Sequence, residues 1–383
     1  MLSAKKTLWK KHSVRQLNKD AREKEFPAQI QILTETWNRV VAVPYIVYMP
    51  EIDRVLMLVN CDYASNPQHT HYPMVLFSDH RGTNWSPPKY VSTDSQGNPN
   101  IGMGVALTYL GKGKALLYAD GLRWFSRDYG KTWGDTVSVQ PAPGAKEWNQ
   151  WDPALVEKDP ATGEINRLVE TGSTYDAEND AIGDGSQGFI RFSADEGRTW
   201  SDAIKVSQWH GINEVALCRA KNGDIVAGCR TDNPARFKKF NDNYGGLGVS
   251  ISKDDGYTWS EVQILYDYGR HHPSMVLLAN GDIVMTYVVR RGYPLSANGY
   301  EQFGVEAVVS HNNGETWDME HRYVLTIWVS NRPGEIPNGV QATSSILFPD
   351  GSILTAFGTI YRAQLDEKGR PAPRDVGLVL WRI

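Results

Sequence analysis

Cysteine is scarce in this 383-residue chain. Cys61, Cys218 and Cys229 fit no metal-ligand spacing and cannot all pair. That argues against a disulfide framework and sets a reducing, cytoplasmic compartment as the expectation. Long apolar runs are missing too: none approaches the ~20 residues that span a bilayer. Residues 1–25 are polar and charged rather than signal-like. Charge of one sign is also lacking. The chain carries 40 Lys and Arg against 44 Asp and Glu, for a net charge of −4, which leaves no long-range attraction for nucleic acid or an anionic membrane. No His/Asp cluster has a recognisable ligand spacing, so neither a metal nor another cofactor is expected.

Turn formers and bulky strand residues are plentiful. There are 35 Gly and 20 Pro, with 13 Trp, 18 Tyr and 10 Phe. This composition favours β architecture, and a 41% hydrophobic content is enough for a sizeable core. Length alone suggests two domains, but large all-β folds often run past the ordinary domain size as one unit. No linker divides the chain, so one domain over 1–383 is expected, with 1–25 as a solvated polar lead-in.

Internal repeats decide the fold class. Ser126–Trp133, Ser193–Trp200 and Ser252–Trp259 each read S-x-D-x-G-x-T-W. Ser310–Trp317 differs only by Asn312 in the Asp place, and Ser78–Trp85 is worn further, with His80 and Asn84. The Asp caps its own backbone, the Gly takes a positive-φ position, and the Trp packs beneath the loop. A second repeat interleaves with the first. It is a hairpin with a polar turn, clearest at Val215–Arg230, Ser274–Arg290 and Ser344–Thr359, and weaker at Tyr45–Asn60, Gly104–Asp120 and Pro153–Thr171. Six hairpins and five motif copies predict a six-bladed β-propeller of four-stranded antiparallel blades. The last blade would be completed by Val376–Arg382 and closed by a stretch near Gln29–Thr34.

The motif copies resemble the Asp-box, or BNR, repeats of the sialidase superfamily, over about residues 37–383. The resemblance implies a six-bladed propeller, and Asp-boxes lie away from the active site. Sialidases place a Glu at the start of the fourth inner strand and an Arg at the end of the next, and Glu214 and Arg230 match that pair in context. The first-blade Arg-Ile-Pro of sialidases is matched here by Ala42-Val43-Pro44, and the place of the nucleophilic Tyr falls at Ala342.

Propeller geometry yields a site without the family. The leading ends of the inner strands and the trailing ends of their hairpin partners converge on one face. Leading positions include Arg39, Trp151, Asp152, Glu214, His271, His272 and Gln341. Trailing positions include Asp62, Arg230, Arg290, Arg291 and Tyr361, with His71 on the next strand of the first blade. This mixture of Arg, His and carboxylates beside aromatic rings suits a polar sugar pocket. Strand alternation turns His271 and His272 to opposite sides, and likewise Arg290 and Arg291, so one of each pair should face the site. Arg270 reads as a surface charge.

The expected activity is an exo-acting glycoside hydrolase on a terminal acidic sugar. Glu214 and Asp152 divide the acid from the nucleophile or base, and His271, His272 and Tyr361 are further catalytic candidates. Arg230, Arg290 and Arg291 bind the sugar carboxylate, and Trp151, Asp62, His71, Gln341 and Arg39 line the substrate. A polysaccharide lyase on uronic acid and a non-catalytic glycan-binding propeller are the alternatives. With Ala42 and Ala342 in the places of the sialidase Arg and Tyr, an aryl sialoside should be hydrolysed poorly or not at all. Robust release of sialic acid would contradict this.

Overall fold

Apolar residues alternate with polar ones along short segments punctuated by Gly, Pro and Asp, and among the described residues these segments form 25 strands. The computed structural model describes residues 9–18, 23–37, 40–62, 71–144, 148–174, 185–237, 242–329, 340–359 and 374–383. A hairpin of β1 (Lys10–Gln16) and β2 (Lys24–Ile32) opens the chain. The first four-stranded sheet holds β3 (Val40–Met49), β4 (Arg54–Asp62), β5 (His71–Ser78) and β6 (Lys89–Tyr90). The second holds β7 (Gly104–Gly111), β8 (Lys114–Ala119), β9 (Leu122–Ser126) and β10 (Gly134–Ser138). The third holds β11 (Leu155–Lys158), β12 (Ile165–Thr174), β13 (Gln187–Ser193) and β14 (Ile204–His210), and the fourth β15 (Ile212–Arg219), β16 (Ile225–Thr231), β17 (Gly246–Ser252) and β18 (Gln263–Tyr266).

The remaining strands are β19 (Arg270–Leu277), β20 (Ile283–Val289), β21 (Gln302–Ser310), β22 (Tyr323–Val329), β23 (Val340–Leu347), β24 (Ile353–Thr359) and β25 (Asp375–Trp381). They join the opening hairpin in one nine-stranded sheet of order β19-β20-β21-β22-β1-β2-β25-β24-β23. The fold is all-β and propeller-like, with the six expected hairpins in place as β3–β4, β7–β8, β11–β12, β15–β16, β19–β20 and β23–β24. Heading strands of neighbouring hairpins meet: β23 touches β3 and β19, and β15 touches β19.

The nine-stranded sheet departs from the expectation of separate four-stranded sheets, and β1 is the cause. It pairs with β2 throughout its length and with β22 at Arg15–Val324 and Gln16–Tyr323. Part of the N-terminal segment expected to be a solvated lead-in is therefore a sheet strand, with Val14 fully buried among Phe303, Tyr323 and Trp381. Ring closure by β2 on β25 follows the expected stretch, pairing Gln29 with Leu380 and Ile32 with Gly377.

The S-x-D-x-G-x-T-W segments sit between third and fourth strands. In the copy at 126–133, the Thr132 N–H donates to Asp128 Oδ1 at 2.9 Å and the Thr132 hydroxyl to Oδ2 at 2.6 Å. Ser126 Oγ accepts the Gly130 N–H at 3.0 Å, and the Trp133 indole donates to the Gly130 carbonyl at 3.2 Å. Gly130 has φ 79° and lies so close to Leu56 of the preceding sheet that a Cβ would fall 2.6 Å from its methyls. The turn is thus a spacer between sheets as well as a cap. Asn312 performs the Asp role with its amide, accepting from Thr316 N at 2.9 Å and donating to its hydroxyl at 2.9 Å. All three cysteines are free and buried.

Removing the two methyls of Val14 tests whether β1 is structural. Val14→Ala should cost about 1.5–3 kcal/mol in denaturant unfolding; an unchanged midpoint would return the segment to solvent.

Candidate functional site

Five hairpin-heading strands share one irregularity near their leading ends. Ala42, Ala106, Glu214, His272 and Ala342 have φ of 73°, 56°, 45°, 57° and 39°, and each lies within a register shift of its strand pair. Each is a β-bulge in which one left-handed residue re-aims its neighbours. Glu214 and His272, on the adjoining strands β15 and β19, are brought together in this way.

Glu214 is the centre of the cluster. Its Oε1 accepts from Arg230 Nη1 at 2.7 Å, and its Oε2 stands 3.8 Å from Nδ1 of both His271 and His272. Both histidines therefore reach the site, contrary to strict alternation. The left-handed backbone at His272 is the reason. Asn213, the residue before Glu214, donates to Asp232 Oδ1 at 2.9 Å, and Asp232 accepts the Ser186 N–H and hydroxyl at 2.6 and 2.7 Å. This clamp ties the start of β15 to the end of β16 and so fixes Glu214 against Arg230.

Burial of Glu214 would raise its pKa, but the Arg230 guanidinium, and after it His272, hold it well below the usual carboxylate range. Asp152 experiences the reverse: burial first, then the negative charge of Glu214, push it well above that range. Its Oδ2 is buried without a hydrogen-bond partner. Burial, then the positive charges of Arg230 and Arg290, drive the His271 pKa down to about 3. Neither of its ring nitrogens makes a hydrogen bond, so the ring is neutral near pH 7. Trp151 stands edge-on to His272, with ring centroids 6.3 Å apart.

Tyr45 is a member that sequence reading missed. Its hydroxyl is buried without a hydrogen-bond partner, and burial, then Asp152 and Glu214, raise its pKa. It reaches these carboxyls because Ala42 and Val43 are both left-handed and the register shifts between Ala42 and Tyr45. No sequence signal marks that rotation.

The remaining expected members differ in placement. Arg290 and Arg291 are both buried, where alternation leaves one solvated. Both backbone N–H groups donate to the Gly269 carbonyl, at 2.8 and 3.1 Å, so the chain turns inward there. Arg291 is spent on Glu301 at 2.8 Å, under the Tyr244 ring. Arg270 is buried rather than a surface charge, donating to the Arg291 carbonyl at 3.1 Å. His71 opens β5 opposite Asp62. Arg39 and Tyr361 lie outside the described residues, and of Asp62 and Gln341 only the backbone is described.

The BNR repeat-like domain family matches residues 122–366. The chain belongs to that family. No curated protein matches it in sequence. Among solved structures, a protein of unknown function from Dyadobacter fermentans is similar at a TM-score of 0.60 and 15% identity, over 90% of this chain and 95% of that one. The GH93 α-L-arabinofuranosidase of Fusarium graminearum, solved with arabinobiose, gives 0.53 and 14% over 90% and 93%. The intramolecular trans-sialidase from Ruminococcus gnavus, solved with oseltamivir carboxylate, gives 0.57 and 12% over 89% and 94%. Likeness at these identities is one of fold: this BNR repeat-like chain shares its all-β, propeller-like architecture with them.

The opposed shifts give opposite stability effects. Glu214, depressed, contributes stability above its unfolded pKa of about 4.3, lost as pH falls through its folded value. Asp152, raised, binds its proton more tightly when folded, so its contribution is full below about pH 3.9 and is lost as pH rises through the folded value. At pH 7, Glu214→Gln should lower the melting temperature while Asp152→Asn raises it, and the Asp152→Asn gain should shrink towards pH 4. Equal destabilisation by both at pH 7 would contradict the arrangement.

Proposed function

We propose that the chain is an exo-acting glycoside hydrolase for a terminal acidic sugar, built on a six-bladed propeller whose fifth and sixth blades are strapped together by β1. The observation that carries the chemistry is the contrast between two neighbouring carboxyls, Glu214 held 2.7 Å from the Arg230 guanidinium and Asp152 buried with an unpartnered Oδ2, which pushes their pKa values in opposite directions as the division of labour in glycoside cleavage requires. Asp152 keeps its proton and gives it to the leaving glycosidic oxygen. Glu214, ionised beside Arg230, attacks the anomeric carbon or deprotonates the attacking water, and the bond to the protonated oxygen breaks.

Arg230 and Arg290 place positive charge beside the histidines, where a sugar carboxylate finds its counter-ion. Trp151 supplies a flat wall for a pyranose face. Support also comes from the glycan-active proteins that share the fold, although the Fusarium enzyme's ligand is a neutral sugar. Ala42 and Ala342 occupy bulge positions with methyl groups only, which speaks against sialic acid as the sugar. Lyase chemistry has less support, because a histidine pushed to about pKa 3 is a weak base.

Aryl uronides test the reading. Both Glu214→Gln and Asp152→Asn should slow 4-nitrophenyl uronide hydrolysis about 10²–10⁴-fold. With a 2,4-dinitrophenyl leaving group, which needs little protonation, Asp152→Asn should recover most of its rate and Glu214→Gln should not. Saturable uronide binding without turnover would make the protein a binding propeller, and a new unsaturated-uronate absorbance on polyuronates would make it a lyase.

A further inference from the structure

A second charged cluster lies between the second and third sheets and plays no part in the chemistry above. Arg123 on β9 and Arg191 on β13 are both almost wholly buried, at 1% and 2% exposure. They share one carboxylate: Arg123 Nη2 and Arg191 Nε both donate to Glu170 Oε1. Arg191 Nη1 donates to the Gln140 carbonyl at 3.0 Å. That leaves Arg123 Nε and Arg191 Nη2 buried with no acceptor, while Glu170 Oε2 also stands without a donor. Two guanidinium charges against one carboxylate leave a net positive charge inside the protein, and buried charges are ordinarily paired.

The surroundings form a receptacle. Both arginines line a cavity of about 350 Å³, together with Arg198, Trp200, Pro141 and Ala203. Arg123 stacks over the Trp200 ring at 4.5 Å and Arg191 over Trp148 at 3.9 Å. The indoles hold the guanidinium planes in place, so their positive charge is fixed before any ligand arrives. Also in the lining, Arg198 pairs with Asp135, and Asp202 is exposed.

We propose that this cleft is an oxyanion-binding site, taking a carboxylate or sulfate group against the uncompensated guanidinium charge of Arg123 and Arg191, which line it. A planar or tetrahedral oxyanion accepts from such donors by charge-assisted hydrogen bonds, and the Trp and Pro walls suit a sugar ring carrying it. The assignment is independent of the hydrolase reading, since none of its residues belongs to the Glu214 cluster.

Calorimetric titration with glucuronate, sodium sulfate and glucose tests it on the full chain. In the Arg230→Ala background, which removes the counter-ion of the Glu214 site, we expect one saturable event for glucuronate or sulfate and none for glucose. It should weaken about tenfold or more in Arg191→Gln and in Ala203→Trp, which fills the cavity from its lining. Glu170→Gln, which removes the competing carboxylate charge, should preserve or tighten it. Stronger binding of glucuronate assigns a sugar acid, and stronger binding of sulfate a sulfated or inorganic oxyanion. No saturable anion binding up to about 10 mM would overturn the proposal, as would an event that Ala203→Trp leaves unchanged. Should Arg191→Gln fail to fold, Ala203→Trp decides the matter alone.

Discussion

A left-handed residue near the head of a hairpin is the constraint on which this molecule's candidate site depends. Outside glycine that conformation costs about 1–2 kcal/mol per residue, yet it recurs at Ala42, Ala106, Glu214, His272 and Ala342. Without it, period-two alternation would send one of any two adjacent side chains into the space between sheets. With it, consecutive residues such as His271 and His272 address the same carboxylate. The strain persists because side chains pin neighbouring sheets beside it. Asn60 bonds both backbone groups of Gly104, Thr171 Oγ1 donates to the Val215 carbonyl, and Thr343 Oγ1 to that of His272. A bulge held from both sides cannot relax into a regular strand.

Charge follows from this backbone. The bulge sets Glu214 beside Arg230 and two imidazoles, while Asp152 is buried with its Oδ2 unpartnered and the negative charge of Glu214 near it. Two carboxyls of similar intrinsic acidity thereby acquire opposite habits through placement alone. Their titrations are coupled, since the ionisation of one raises the other, so a pH profile would report values belonging to the pair.

The architecture was largely legible because it repeats. Ser, Asp, Gly, Thr and Trp each have one job in the turn, and five copies set the spacing of the sheets. The hairpins were visible through Asn222-Gly223 and Asn280-Gly281 for the same local reason. Glu214, Arg230, Asp152 and Trp151 could be named because a hairpin brings its ends together. What eluded the sequence was whatever depends on the sense of one dihedral. Tyr45 and the second histidine follow from backbone rotations that no residue type demands, and the inward turn of Arg290 and Arg291 from a distant bond to the Gly269 carbonyl. The role of β1 was obscured differently: Lys10, Lys11 and Arg15 suggest solvent, and only Val14 faces the interior.

The pairing of β2 with β25 joins segments almost the whole chain apart. Every other sheet can form as its own residues leave the ribosome, but this seam waits for the last strand to emerge. Until then β2 presents an unpaired edge, and the sheets at the two ends of the ring have nothing to lock them. Such a seam makes late folding slow, through its high sequence separation, and gives nascent chains a sticky intermediate. Once closed, it also means that fraying of β2 or of β25 must break a joint made by both, so each holds the other in the ring.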